Sequence, residues 1–366
     1  MSITACAQAA AGDVCPRREA RRICTVEALR GLAAFYVFLH HFGRELLDAA
    51  HPGVGRFFVF GQAAVMLFFI LSGFAIHLAC FATSRPPSLR AYLVRRFRRI
   101  YPMLLVALGA SYLATSLWAG HWVAADWRNL AGNLLLLQDG NRPGAWFQPY
   151  LCNTPLWSLG YEWCFYLLFY PIGVGLAGRP GAQRAVVFGI AAIGFLVEVI
   201  APNPIAMFFI YFPLWWSGTE LGREYLQRGT FSFAAQAAPI ALVGAAVLGW
   251  AALVLAHART GPVSLWAHPG IELRQYATGL LILVGGIAWA RVGLAGSRFV
   301  RMGSALAPLS YALYVIHRPV LQLAARFHAT PSVLLDFVLW VLPATLALSY
   351  LLERKLQPVV NRALPG

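Results

Sequence analysis

The chain has 366 residues, of which 59% are apolar and only 12% charged, and its formal net charge is +15. The charged share is about half the ~25% of a soluble domain, and the mean hydropathy is +0.63. These values exclude a disordered chain, a coiled coil, a collagen and an ordinary water-soluble enzyme, and predict an all-α polytopic membrane protein.

The positive charge does not point to nucleic acid. Every basic residue except Lys355 is an arginine, and most sit in short breaks between apolar runs. A nucleic-acid groove would gather them on one soluble face with interleaved aromatics. Basic breaks between apolar runs are instead the pattern of loops held on the cytoplasmic side of a membrane. The six cysteines, Cys6, Cys15, Cys24, Cys80, Cys152 and Cys164, form no CxxC pair and no His/Cys ligand spacing. The sequence therefore predicts neither a disulfide framework nor a metal.

A spanning helix needs about 20 mostly apolar residues, and about ten such stretches are predicted. They lie at 26–46, 57–82, 101–119, 155–178, 185–201, 204–222, 233–256, 275–291, 303–325 and 332–352. A basic tail over 1–25 precedes this single transmembrane domain (26–352), and a short tail over 353–366 follows it. Residues 1–25 have no uncharged hydrophobic core and no cleavage site, so no cleaved leader is expected. The patch Leu130–Leu137 is too short to span and reads as a re-entrant or surface helix. Placing the N-terminus inside puts Arg17, Arg18, Arg21, Arg22 and the run Arg95, Arg96, Arg98 and Arg99 on the cytoplasmic side. Both termini are then expected in the cytoplasm, with an even number of spans. The largest outer connection covers 120–154.

Charged and polar side chains inside such spans mark function or buried pairing. In the first span, Arg30 and His41 are eleven residues apart. That spacing sets them ~16 Å apart along a helix and only ~20° apart around it. His40 points ~80° away, so His41 better fits a shared face. An interfacial arginine with a histidine near the outer headgroups fits the spacing as well as a functional face does. In the second span, Ser72 and Gly73 favour close helix packing. Before the third, Arg96 and Arg99 share a face; bidentate phosphate binding and anchoring to acidic lipid both suit them. In the fourth, Glu162 lies well inside an apolar run. In the ninth, Ser310, Tyr314 and His317 fall at i, i+4 and i+7 and form one stripe.

Five segments resemble motifs of the acyltransferase 3 family of bacterial membrane acyltransferases, in the family's order. They are Arg30 with His41; Phe68-Phe69-Ile70-Leu71-Ser72-Gly73-Phe74; and Arg96-Phe97-Arg98-Arg99-Ile100-Tyr101-Pro102. The other two are Leu156-Trp157-Ser158-Leu159 with Glu162, and Ser310-Tyr311-Ala312-Leu313-Tyr314 with His317 and Pro319. Gly218 and Gly222 are a weaker echo. The chain is similar to the members that lack an appended esterase-like domain.

The resemblance implies a multi-pass protein of the inner membrane that transfers an acyl group, commonly acetyl from acetyl-CoA, to a carbohydrate or related hydroxyl. Lipopolysaccharide O-antigen, exopolysaccharide, peptidoglycan, lipo-oligosaccharides and macrolides are typical acceptors. No permanently bound cofactor is expected; acyl-CoA is the donor substrate. His41 is the expected general base or, alternatively, a nucleophile that becomes an acyl-imidazole. Glu162 would orient His41 or the acceptor. Arg96 and Arg99 would meet coenzyme A phosphates at the inner surface, and Arg30 the donor's arm. Trp157, Ser158, Tyr314 and His317 would bind substrate, the last two as donors to the thioester carbonyl or the sugar. The Arg30–His41 spacing also suggests that the acyl group crosses inside the protein to an acceptor at the outer leaflet. The competing reading is a proton-coupled transporter of a sugar or acyl compound, since buried Glu and His suit that task too.

Overall fold

The computed structural model describes residues 16–83, 85–139, 145–201, 203–260, 268–292 and 298–365. The first fifteen residues, with Cys6 and Cys15, and Arg142 of the outer connection lie outside the described residues. Among the described residues the chain is helical with no β-strand. That outcome follows from the solvent: hydrocarbon offers no partner for backbone N–H and C=O groups, so each spanning segment must satisfy its own.

All of the apolar stretches read from the sequence coincide with helix. The helices are α1 (Pro16–His41), α2 (Gly61–Phe81), α3 (Leu89–Ala119), α4 (Trp127–Leu134), α5 (Trp157–Phe169), α6 (Pro180–Ile200) and α7 (Pro204–Arg228). After them come α8 (Ala237–Thr260), α9 (Pro269–Val292), α10 (Arg298–Leu306), α11 (Ser310–Ala324) and α12 (Val333–Ala363). Seven segments are long and apolar enough to cross a membrane: Val54–Phe81, Leu89–Ala119, Pro180–Ile200, Ala237–Arg259, Pro269–Arg291, Arg298–Ala324 and Val333–Ala363. The stretches at 26–46, 155–178 and 204–222 are helical but fall outside this set. Glu27, Arg30, His40 and His41 lower the apolarity of α1. Helix α5 has 13 residues before a wider π-helical continuation, Tyr170–Val174, and Glu220 and several tryptophans and tyrosines dilute α7. The polar residues that raised a functional question are thus among those that weaken the spanning signal.

Helix ends follow ordinary capping chemistry. Ser88 accepts the N–H of Ala91 at the start of α3, and Gly120 ends it at φ 77°. Asn203 caps α7 through Ile205 and Ala206, and Gly229 ends it at φ 64°. Glycine takes this left-handed backbone without the Cβ clash that other residues suffer.

The chain forms two compact units. The first comprises the residues up to Glu27, Val65–Pro87 and Cys164–Arg301; the second comprises Ala28–Ala64, Ser88–Trp163 and Met302–Gly366. In the first unit α2 and α7 touch backbone to backbone. A Cβ added at Gly73 would lie 2.2 Å from the Trp215 carbonyl oxygen, and one at Gly218 would lie 1.9 Å from that of Ile70. Small residues are what permits such an approach. Around this crossing Phe165, Phe169, Phe212 and Trp215 bury their rings against one another. A buried Glu220 carboxylate is held by Arg184 and Arg223, each at 2.8 Å.

In the second unit α11 packs along α3 and α12. Gln322 donates to Thr115 at 3.1 Å, tying α11 to α3. The chain entering α5 is strained: Leu151 and Cys152 both have positive φ, 45° and 61°, a conformation that costs roughly 1–2 kcal/mol per non-glycine residue. Asn153 holds this turn in place, donating from Nδ2 to Ser111 Oγ at 3.0 Å and to the Val315 carbonyl at 3.2 Å. The start of α5 is thereby fixed against α3 and α11.

Candidate functional site

All nine side chains singled out from the sequence, Arg30, His41, Arg96, Arg99, Trp157, Ser158, Glu162, Tyr314 and His317, belong to the second unit. They come from three separate parts of the chain. Helix α11 organises them through its stripe. Arg30 donates from Nε to Ser310 Oγ at 3.2 Å. One turn on, Tyr314 shares a 2.8 Å hydrogen bond with Ser158 of α5. At the next position the His317 ring lies 5.2 Å, centroid to centroid, from that of His41. Helices α1 and α11 therefore run in the same direction, with their polar residues facing at both levels.

His41 ends α1 where the chain widens into a π-helical turn, Phe42–Leu47, a local irregularity often found at functional sites. Its Nδ1 lies 3.0 Å from Glu45 Oε1, and the other oxygen of Glu45 accepts from Arg318 Nη1 at 2.9 Å. A carboxylate accepts, so the proton of this bond sits on His41 Nδ1 and the lone pair of a neutral ring on Nε2. His40 is used otherwise. Its Nδ1 bonds the Phe58 carbonyl, and its ring fills the space beside Gly61, where a Cβ would lie 2.4 Å from His40 Cδ2.

His317 is fully buried, and its Nδ1 lies 2.9 Å from the Leu313 carbonyl. The carbonyl can only accept, so Nδ1 carries the proton, and the buried Nε2 has no hydrogen-bond partner among the described residues. A neutral His317 then presents an acceptor lone pair at Nε2. Phe38 packs on the same ring at 5.8 Å.

Glu162 is half-buried and interacts electrostatically with Tyr311 and Tyr314. The carboxylate at His41 Nδ1 is that of Glu45. Trp157 meets Tyr161 edge to face at 5.3 Å, and Tyr161 donates to Asp139 at 3.0 Å. Gln138 donates to the Leu156 carbonyl at 2.7 Å. The connection between α4 and α5 thus braces the first turn of α5.

Three arginines of α3, Arg96, Arg98 and Arg99, are already engaged. Arg96 stacks its guanidinium 5.5 Å above the Tyr92 ring. Arg99 lies 4.6 Å above Tyr311 and pairs with Glu353 at 2.8 Å, while the second Glu353 oxygen accepts the N–H of Ala312. Arg98 donates to the Leu364 carbonyl, and Gln357 donates to that of Arg98. A phosphate arriving at Arg99 has to share the guanidinium with Glu353.

Glu45, Arg318 and Glu353 are the polar partners that sequence reading missed. The first carried a visible signal, the i, i+4 spacing from His41. The other two lie hundreds of residues from their partners and carried none.

Among the described residues, the chain is an all-helical, multi-pass membrane protein with a histidine–carboxylate pair beside a buried second histidine. The chain belongs to the acyltransferase 3 family: the family's acyltransferase-domain model matches residues 25–354. It is 32% identical over 172 residues to the acyltransferase MdmB of Streptomyces mycarofaciens, a match covering 44% of this chain and 42% of that relative. No solved structure matches it.

Proposed function

We propose that the protein is an O-acyltransferase of the bacterial inner membrane, moving an acyl group, commonly acetyl, from acyl-CoA to a hydroxyl of a cell-envelope or exported carbohydrate. The observation that carries this reading is His41, with Nδ1 on Glu45 and its ring against the buried His317. That arrangement presents a basic nitrogen inside a protein of an acyl-transferring family.

In the proposed reaction His41 Nε2 takes the proton of the acceptor hydroxyl as its oxygen attacks the thioester carbonyl. The C–O bond forms, the C–S bond breaks, and the imidazolium returns its proton to the departing coenzyme A sulfur. The Nε2 of His317, which has no partner among the described residues, accepts a hydrogen bond from a substrate hydroxyl. Arg30, held by Ser310, contacts the donor's arm, and Arg96 and Arg99 meet its phosphates. The acceptor meets the acyl group toward the outer leaflet, ~16 Å along α1 from Arg30. Trp157, Ser158, Glu162 and Tyr314 shape the substrate-facing side of α5 and α11.

Mass spectrometry of surface glycans from cells with and without the gene tests this function. A glycan lighter by one acyl group in the deletion strain is expected. Unchanged glycans, with membranes that move a labelled sugar or acyl compound without covalent transfer, would instead favour a proton-coupled transporter.

A further inference from the structure

The carboxylate at His41 is not an isolated partner. Glu45 bridges two donors: Oε1 accepts from Nδ1 of His41 at 3.0 Å, and Oε2 accepts from Nη1 of Arg318 at 2.9 Å. All three side chains are largely withdrawn from solvent, at 17% exposure for His41, 29% for Glu45 and 19% for Arg318. Glu45 lies one turn beyond His41 within the π-helical segment, and Arg318 follows His317 on α11. The pair therefore ties the end of α1 to the level of α11 that carries the second histidine.

We propose that Glu45 and Arg318 are positioning residues for acyl transfer. Arg318 holds the Glu45 carboxylate in one orientation, and Glu45 holds the His41 proton on Nδ1, so that Nε2 always faces substrate as the base. This rests on the reading of His41 as the base. During the reaction the hydroxyl proton moves to Nε2, and the imidazolium is stabilised by the Glu45 charge. The proton then leaves to the sulfur as the C–S bond breaks. Glu45 itself stays ionised throughout, as a carboxylate behind a catalytic histidine does.

The arrangement makes an unusual demand on an amide at position 45. Arg318 can only donate, so the side-chain oxygen of a Glu45→Gln variant turns toward it. The amide NH2 then faces His41 Nδ1 and draws its lone pair there. The histidine proton moves to Nε2, and the base is lost with the geometry intact. The equivalent exchange behind the histidine of a Ser-His-Asp triad lowers kcat roughly 10,000-fold through the wrong tautomer. Removing the guanidinium should undo the damage, because the freed amide can turn its oxygen back to Nδ1.

The test compares the parent protein with Glu45→Gln, Glu45→Gln/Arg318→Met and His41→Ala. Each is purified in detergent and assayed with acetyl-CoA and the acceptor found from the glycan comparison, with thermal unfolding as a fold control. Glu45→Gln should lose kcat by roughly 100- to 10,000-fold with KM for acetyl-CoA within about twofold. The double variant should regain at least about tenfold in kcat over the single one, a gain that a packing role for Glu45 would not produce. If Glu45→Gln does not accumulate, Glu45→Asp, which keeps the charge one methylene further back, should lower kcat with KM unchanged. A Glu45→Gln variant as fast as the parent, or a folded double variant no faster than the single, overturns the proposal. If His41→Ala keeps full activity, the reading of His41 as the base fails instead.

Discussion

Arg30 on α1 donates a 3.2 Å hydrogen bond from Nε to the hydroxyl of Ser310 on α11. Ser310 Oγ also donates to the Ala307 carbonyl at 2.8 Å, so the hydroxyl is fixed from both sides. Its removal leaves the guanidinium one partner short without touching its charge. A typical hydrogen bond of this kind contributes about 0.5–1.5 kcal/mol. The Ser310→Ala variant should therefore raise KM for acetyl-CoA about two- to tenfold and leave kcat within twofold, read by initial rates over a range of donor concentrations.

Tyr314 and Ser158 share a hydrogen bond of 2.8 Å between buried hydroxyls. Tyr314→Phe or Ser158→Ala alone leaves the surviving hydroxyl buried with one partner fewer, at a cost of about 1–3 kcal/mol. The double variant removes both groups and should be destabilised by less than the sum. Thermal unfolding of the four proteins in detergent forms the cycle; strict additivity would show that the pair contributes no coupling.

In the proposed reaction His317 combines substrate binding with a stability cost. Its buried Nε2 has no partner among the described residues, and a polar atom left so is worth about 1–3 kcal/mol of destabilisation. His317→Leu should raise the unfolding temperature while raising KM for the acceptor at least tenfold. A variant that is both less stable and fully active would show that the ring serves packing.

The α2–α7 crossing gives a prediction about folding alone. Gly218→Ala places a Cβ 1.9 Å from the Ile70 carbonyl oxygen, whereas a Cβ at Gly244 meets nothing within 4 Å. Gly218→Ala should abolish accumulation of folded protein in membranes, while Gly244→Ala, on an open helix face, should be neutral or slightly stabilising. Fluorescence-detected size exclusion of tagged variants separates the two.

Much of this architecture was legible because helical periodicity acts over short distances. The i, i+4, i+7 stripe of Ser310, Tyr314 and His317 predicted one shared face, and all three meet polar partners in the second unit. The eleven-residue spacing of Arg30 and His41 predicted that one helix would carry both, and α11 meets both. Ser72 and Gly73 predicted close packing, and Gly73 lies against the backbone of α7 at Trp215. Partners across the chain were not legible. Arg318 lies within an apolar stretch, with nothing local to link it to Glu45. Arg99 read as a site for phosphate, and its pairing with Glu353 depends on how α3 and α12 dock, which no local pattern encodes. Glu45 was the recoverable omission. It follows His41 by one turn but sits beside Arg44 near the expected outer edge, where a charge is ordinary.

The central claim is that the His41 imidazole performs acyl transfer, and radiolabelled acetyl-CoA tests it most directly. Membranes containing the parent protein or His41→Ala, matched for folded protein by size exclusion, are incubated with the labelled donor and the glycan acceptor. Label should enter the glycan with the parent and fall at least about 100-fold with His41→Ala. Equal incorporation by both would contradict the account.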